Sequence, residues 1–185
     1  MHPRLPPREV RRQQDRSLMK HELDTALKCL RDEGDEKSAP LFSSLLATYP
    51  EQQDNVYRKR SLVFAELDLF DEAVRDRQAI IDGGHHTTGD LYFAGEYALQ
   101  AGAFDVARNY FDLAIQRAAR SGDPYYLGSS RLLAALASYQ LNEDERCRSY
   151  LEEVDDEVEV LWLRGFDQVT KQLMIQALSR GTPSQ

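Results

Sequence analysis

Few residues in this 185-residue chain could do chemistry, and their spacing decides among them. His85 and His86 lie between Asp82 and Asp90, four side chains of the kind that bind divalent cations. They fall in a polar stretch opened by Gly83-Gly84, without the i, i+4 spacing that puts two ligands on one helical face. No metal centre is expected there. Two acidic pairs, Glu152/Glu153 and Asp155/Asp156, offer carboxylates for acid–base work. Sequence neighbours point in different directions on a helix, which is poor geometry for sharing a proton. Cys29 and Cys147 stand alone, with no CxxC pair, and Cys147 falls where a small helix-packing residue belongs. No Gly-rich phosphate loop and no GxSxG elbow is present. The expectation is a chain with no catalytic residues, no metal and no cofactor.

Composition narrows the partners. A formal net charge of −8 and a sequence pI of about 5.0 argue against nucleic acid or an anionic membrane. A basic polypeptide suits such a surface better. No run approaches the roughly 18–20 apolar residues that cross a bilayer. The first residues, MHPRLPPREVRRQQDR, lack the apolar segment of a secretory signal, and Glu9 and Asp15 speak against a transit peptide. A soluble, cytoplasmic protein is expected.

The elements that would position a binding surface are legible around Leu91–Ala114, LYFAGEYALQAGAFDVARNYFDLA. Leu91, Ala94, Gly95 and Ala98 recur at three- and four-residue steps, and after Gly102 so do Phe104, Ala107, Phe111 and Ala114. That is the period of a helix with one buried stripe, and the small residues sit where a second helix must come close. The pattern resembles the tetratricopeptide (TPR) repeat, an antiparallel helix pair recurring about every 34 residues with an Ala-x3-Phe signature, here Ala107–Phe111. Stepping back by that period takes Ala107 to Ala73 and Ala39, Gly102 to Asp68 and Gly34, and Leu91 to Tyr57 and Leu23. The fold class expected is all-α, a TPR-like right-handed α-solenoid of about four helix pairs with a C-terminal capping helix.

Along the chain, residues 1–16 hold Pro3, Pro6, Pro7 and five arginines and read as a basic, mobile arm turning helical near Arg8. Residues 17–157 carry the repeats, at about 20–53, 54–87, 88–121 and 128–157. The first pairs a stripe of Leu23, Ala26, Leu27 and Leu30 with one of Ala39, Phe42 and Leu46. The second departs from the pattern at Arg77, where an aromatic is expected. Gly83-Gly84 opens a loop running through Gly89. Ser121-Gly122-Asp123-Pro124 lengthens the third, and the fourth turns at Asn142-Glu143. Residues 158–180 show Trp162, Phe166, Val169, Leu173 and Ala177 at helical steps, read as the cap over the exposed end of the solenoid. Residues 181–185 form a tail.

In TPR arrays the first helix of each pair lines a concave groove, so the resemblance implies a partner-binding surface built from Arg58, Lys59, Leu62, Tyr92, Phe93, Glu96 and Tyr139. Tyr92 and Phe93, aromatics outside the core stripe, read as the anchors. The acidic run Glu152, Glu153, Asp155 and Asp156 is a second candidate, a docking patch for a basic partner. The Lys/Asn clamp by which chaperone-binding TPR domains hold a C-terminal carboxylate is matched only by Arg58; Leu62 stands where Asn is needed. Residues 88–165 are loosely similar to small stand-alone TPR immunity proteins of polymorphic toxin systems. That similarity implies an acidic inhibitor neutralising a basic toxin enzyme. A cytosolic TPR chaperone of a secreted protein, or a generic scaffold, remains the alternative. Oligomeric state is not legible.

Overall fold

In a computed structural model the chain is described over residues 7–122, 124–163 and 166–180, with side chains from residue 16 onward except at positions 162, 166 and 167. The elements run α1 (Pro7–Glu33), α2 (Asp35–Thr48), a short 3-10 turn (Pro50–Gln52), α3 (Gln53–Glu66), α4 (Phe70–Asp82), α5 (Thr88–Gln100), α6 (Phe104–Ser121), α7 (Leu127–Gln140), α8 (Asp144–Glu152), β1 (Glu159–Leu163), β2 (Phe166–Thr170) and α9 (Lys171–Arg180). The fold is all-α and solenoid-like, with one small hairpin among the described residues.

The turns between α1 and α2, α3 and α4, α5 and α6, and α7 and α8 each hold one residue in the left-handed backbone region: Gly34 (φ 91°), Asp68 (φ 61°), Gly102 (φ 79°) and Asn142 (φ 59°). Gly, Asn and Asp tolerate that conformation, which is why these types mark the turns. Five residues beyond three of them lie Ala73, Ala107 and Cys147, each fully buried. The small side chain admits the neighbouring helix. In the first repeat the buried residue is Ser38, not Ala39, and Leu45 replaces Leu46. The cause is local. α2 starts one residue after Gly34, whereas α4 and α6 start two residues after their turns, so the buried face of α2 is one position early.

The chain divides into two compact units, one ending at Leu67 and the other beginning at Asp68. The boundary falls inside the second repeat, so α3 and α4, expected as one pair, belong to different units. In the first unit Leu23, Ala26, Leu27 and Leu30 of α1 are buried, with Phe42, Val56 and Phe64. Arg60 caps this cluster, its guanidinium carbon 4.9 Å from the Phe42 ring centre. α1 also revises the arm: the backbone is helical from Pro7, continuous with the first repeat, and residues 1–6 lie outside the described residues.

In the second unit Gly95 faces Phe111 so closely that a Cβ there would sit 2.7 Å from the ring. Residues 132–138 of α7 are buried without interruption, so this helix is covered on every side. Part of the cover is the C-terminal segment, which does not form the helix expected over 158–180. β1 and β2 pair antiparallel, Val160 opposite Val169 and Leu163 opposite Phe166, and among the described residues of this segment only α9 is helical. Val, Leu, Trp and Phe are residue types that fit a strand. The buried face of α9 is Met174 and Leu178, while Leu173 is exposed. The side chains of Trp162 and Phe166 and residues 181–185 lie outside the described residues.

Candidate functional site

The sequence-derived binding residues divide between the units. In the first, α1 and α3 bound a groove of about 940 Å³. Its floor is apolar, made by Leu23, Leu27, Leu62 and Val63; only Leu62, 40% exposed, presents much of itself to a ligand. Its rim carries Arg16, Lys20, Arg31 and Lys59 against Asp24, Glu51 and Glu66. Arg31 Nε donates to Glu66 Oε2 at 2.9 Å, joining the two helices across the groove. That leaves Arg16, Lys20 and Lys59 facing Asp24 and Glu51, a cationic excess in an acidic protein. Lys59 and Leu62 thus line the groove, while Arg58 is half-buried beside it and engaged in contacts of its own.

The second unit uses its candidate residues differently. Tyr92 is 8% exposed, its ring 5.0 Å from that of Tyr126 and 6.1 Å from Phe111. It is core rather than an anchor. Phe93 is half-buried, with Tyr97 and Tyr126 at 6.0 and 6.2 Å and the Arg77 guanidinium 5.0 Å from its centre. Tyr139 is half-buried and packs against the same core. Glu96 sits one turn beyond Tyr92 and accepts from its hydroxyl. Burial raises the Glu96 carboxyl above the ordinary carboxylate range, outweighing the Tyr92 hydrogen bond and nearby Arg77, which act the other way. Burial likewise raises the Tyr92 phenol.

Arg77 is the residue that the repeat pattern could not place. It is buried at the position of the missing aromatic and forms an ion pair with Asp90, Nη1 to Oδ1 at 2.8 Å. Asp90 is held in turn by a capping box: its Oδ2 accepts from the Thr87 backbone N–H and hydroxyl, each at 2.8 Å, and Thr87 Oγ1 accepts from the Asp90 N–H. The Thr87-x-x-Asp90 spacing was the available signal. It starts α5 at Thr88, inside the stretch expected to be loop. Asp90 therefore serves structure, and among the described residues no three His, Cys, Asp or Glu are grouped to share a cation.

The acidic run lies exposed at and beyond the end of α8. Arg131 reaches Glu153 at 2.5 Å, and Lys171 spans Asp156 at 3.0 Å and the Val154 carbonyl at 2.8 Å. Glu153 thus ties the run to α7 and Asp156 ties it to α9, and all four carboxylates are exposed. Cys147 is fully buried, and burial pushes its thiol up to about 11.

Neither a protein-family model nor a curated protein matches the sequence. No described helix is long and apolar enough to cross a membrane. Among solved structures, MamA AMB-1 in its C2221 form aligns with a TM-score of 0.54 at 17% identity, covering 74% of this chain and 78% of that one. The P212121 form of the same protein gives 0.56 at 17% identity, covering 76% and 74%. At this identity the likeness carries the fold and leaves the toxin-inhibitor resemblance without support. The chain has a TPR-like, all-α fold similar to that of MamA.

Proposed function

We propose that the chain is a non-enzymatic protein-binding module whose binding surface is the α1/α3 groove of the first unit. The observation that carries this is the groove itself: about 940 Å³, apolar at its floor, charged at its rim, and lined by first helices of consecutive repeats. A TPR-like fold favours such use, since paired helices leave a furrow that a peptide segment can fill. The rim's excess of Arg16, Lys20 and Lys59 favours a segment bearing Asp or Glu beside Leu-type side chains. This differs from the basic partner that overall charge suggests.

Selection from a random displayed-peptide library tests the reading. Enriched sequences should be acidic and amphipathic, and Lys20→Glu/Lys59→Glu should lose them about tenfold or more at low salt. Enrichment of basic peptides indifferent to those changes would overturn it. That outcome would favour a second reading, in which exposed Glu152 and Asp155 help a net charge of −8 to hold a basic enzyme as an inhibitor does.

A further inference from the structure

In the second unit the end of α4, residues 83–87, the start of α5 and the last turns of α6 enclose a hollow of about 480 Å³. One side is apolar: Ile81, Leu91 and Leu113. The other carries Arg117 and Arg120, with His86 between elements. No carboxylate lines it among the described residues, although acids outnumber bases 31 to 23 in the chain.

The contacts of the two guanidiniums are to a histidine ring and to an amide. Arg117 Nη1 contacts His86 Nε2 at 3.5 Å, and Arg120 Nη2 donates to Gln116 Oε1 at 3.3 Å. Both bonds are long, and His86 Nδ1 is buried with no hydrogen-bond partner. A basic residue in the last turn of a helix is ordinarily explained by the helix dipole, an effect of about 0.3–1 kcal/mol. That accounts for Arg120. It does not account for Arg117, one turn earlier, contacting a histidine across an acid-free hollow.

We infer that this hollow binds a carboxylate carried on an apolar body. A guanidinium offers a planar fork that matches a carboxylate with two parallel hydrogen bonds, and replacing a neutral acceptor by an anionic one about doubles each bond's strength. Ile81, Leu91 and Leu113 take the apolar part. The volume lies in the range of small-ligand sites and suits one residue or a small molecule rather than a helix. The end of a polypeptide with an apolar last residue and a free short-chain carboxylate share this chemistry.

Calorimetric titration of the full chain with N-acetyl-leucine, its C-terminal amide, octanoate and inorganic phosphate tests the assignment. N-acetyl-leucine or octanoate should saturate with a Kd on the order of 1–10 mM. The amide lacks the charge and phosphate lacks the apolar body, so each should be about tenfold weaker or worse. Arg117 is exposed, so Arg117→Gln should keep the melting temperature while weakening the carboxylate about tenfold. Leu113→Asp, also at an exposed position, should abolish binding by repulsion. Preference for N-acetyl-leucine assigns the site to a chain terminus, and preference for octanoate to a free carboxylate. Equal binding of the amide or of phosphate, no saturation by about 50 mM, or indifference to Arg117→Gln would each overturn the inference. None of these outcomes bears on the α1/α3 groove, whose residues are different.

Discussion

Arg77 and Asp90, thirteen positions apart on consecutive helices, form an ion pair at 2.8 Å with side chains only 4% and 2% exposed. A buried pair of this kind is expensive to break singly, because the surviving charge keeps its desolvation cost and loses its partner. Asp90→Ala is expected to cost about 3–5 kcal/mol in denaturant unfolding. Adding Arg77→Met should recover part of that loss, since the two residues share one interaction. Strict additivity of the two substitutions would show that the pair does not couple.

Gly95 lets α5 lie close against the Phe111 ring of α6. In a helix interior Ala is favoured over Gly by about 1 kcal/mol, so propensity alone predicts that Gly95→Ala stabilises. The new methyl would meet the Phe111 ring at 2.7 Å, and overpacking of a filled core costs about 1–3 kcal/mol. Net destabilisation is expected, read as a lower melting temperature. Phe111→Leu in the same chain should make the added methyl better tolerated.

Glu96 gives the fold a pH dependence of definite sign. Burial, its largest cause, raises its folded pKa above the ordinary value of 4.5, so between the two values the folded state holds more protons than the unfolded one. Stability from this group is therefore fully present below 4.5 and declines as pH rises through the folded value. Glu96→Gln, which cannot ionise, should raise the melting temperature at neutral pH and change it little near pH 4. A larger gain at low pH than at neutral pH would contradict the assignment.

Cys147 should behave as a hydrophobic side chain. Its thiol is buried and raised to about 11, whereas Cys29 is half-buried. A chromogenic disulfide reagent should modify one thiol per chain in native buffer at pH 8 and the second only on denaturation. Rapid reaction of both would place Cys147 outside the core.

Local chemistry was strong enough in the sequence to mark the repeats. Gly34, Asp68, Gly102 and Asn142 are turn residues because few other types tolerate a left-handed backbone, and Ala73, Ala107 and Cys147 pack because they are small. Those properties belong to single residues, so spacing reveals them. Arg77 was different. Its partner Asp90 lies on another helix, and nothing in a one-dimensional pattern says that a cation fills an aromatic's place once a capped carboxylate and the face of Phe93 stand beside it. The burial of Tyr92 is hidden for the same reason: counting along a helix shows which face a side chain leaves, not whether Tyr126 comes back to cover it. The segment 159–170 was ambiguous on both counts, since its apolar residues fit helical steps as well as two short strands. Pairing of Val160 with Val169, and burial against α7, decided it. The sequence by itself thus determined the turn residues and most of the small residues at which paired helices approach, since those are set by backbone and volume. Only the tertiary structure decided which surfaces stay open, because exposure depends on what the rest of the chain leaves uncovered.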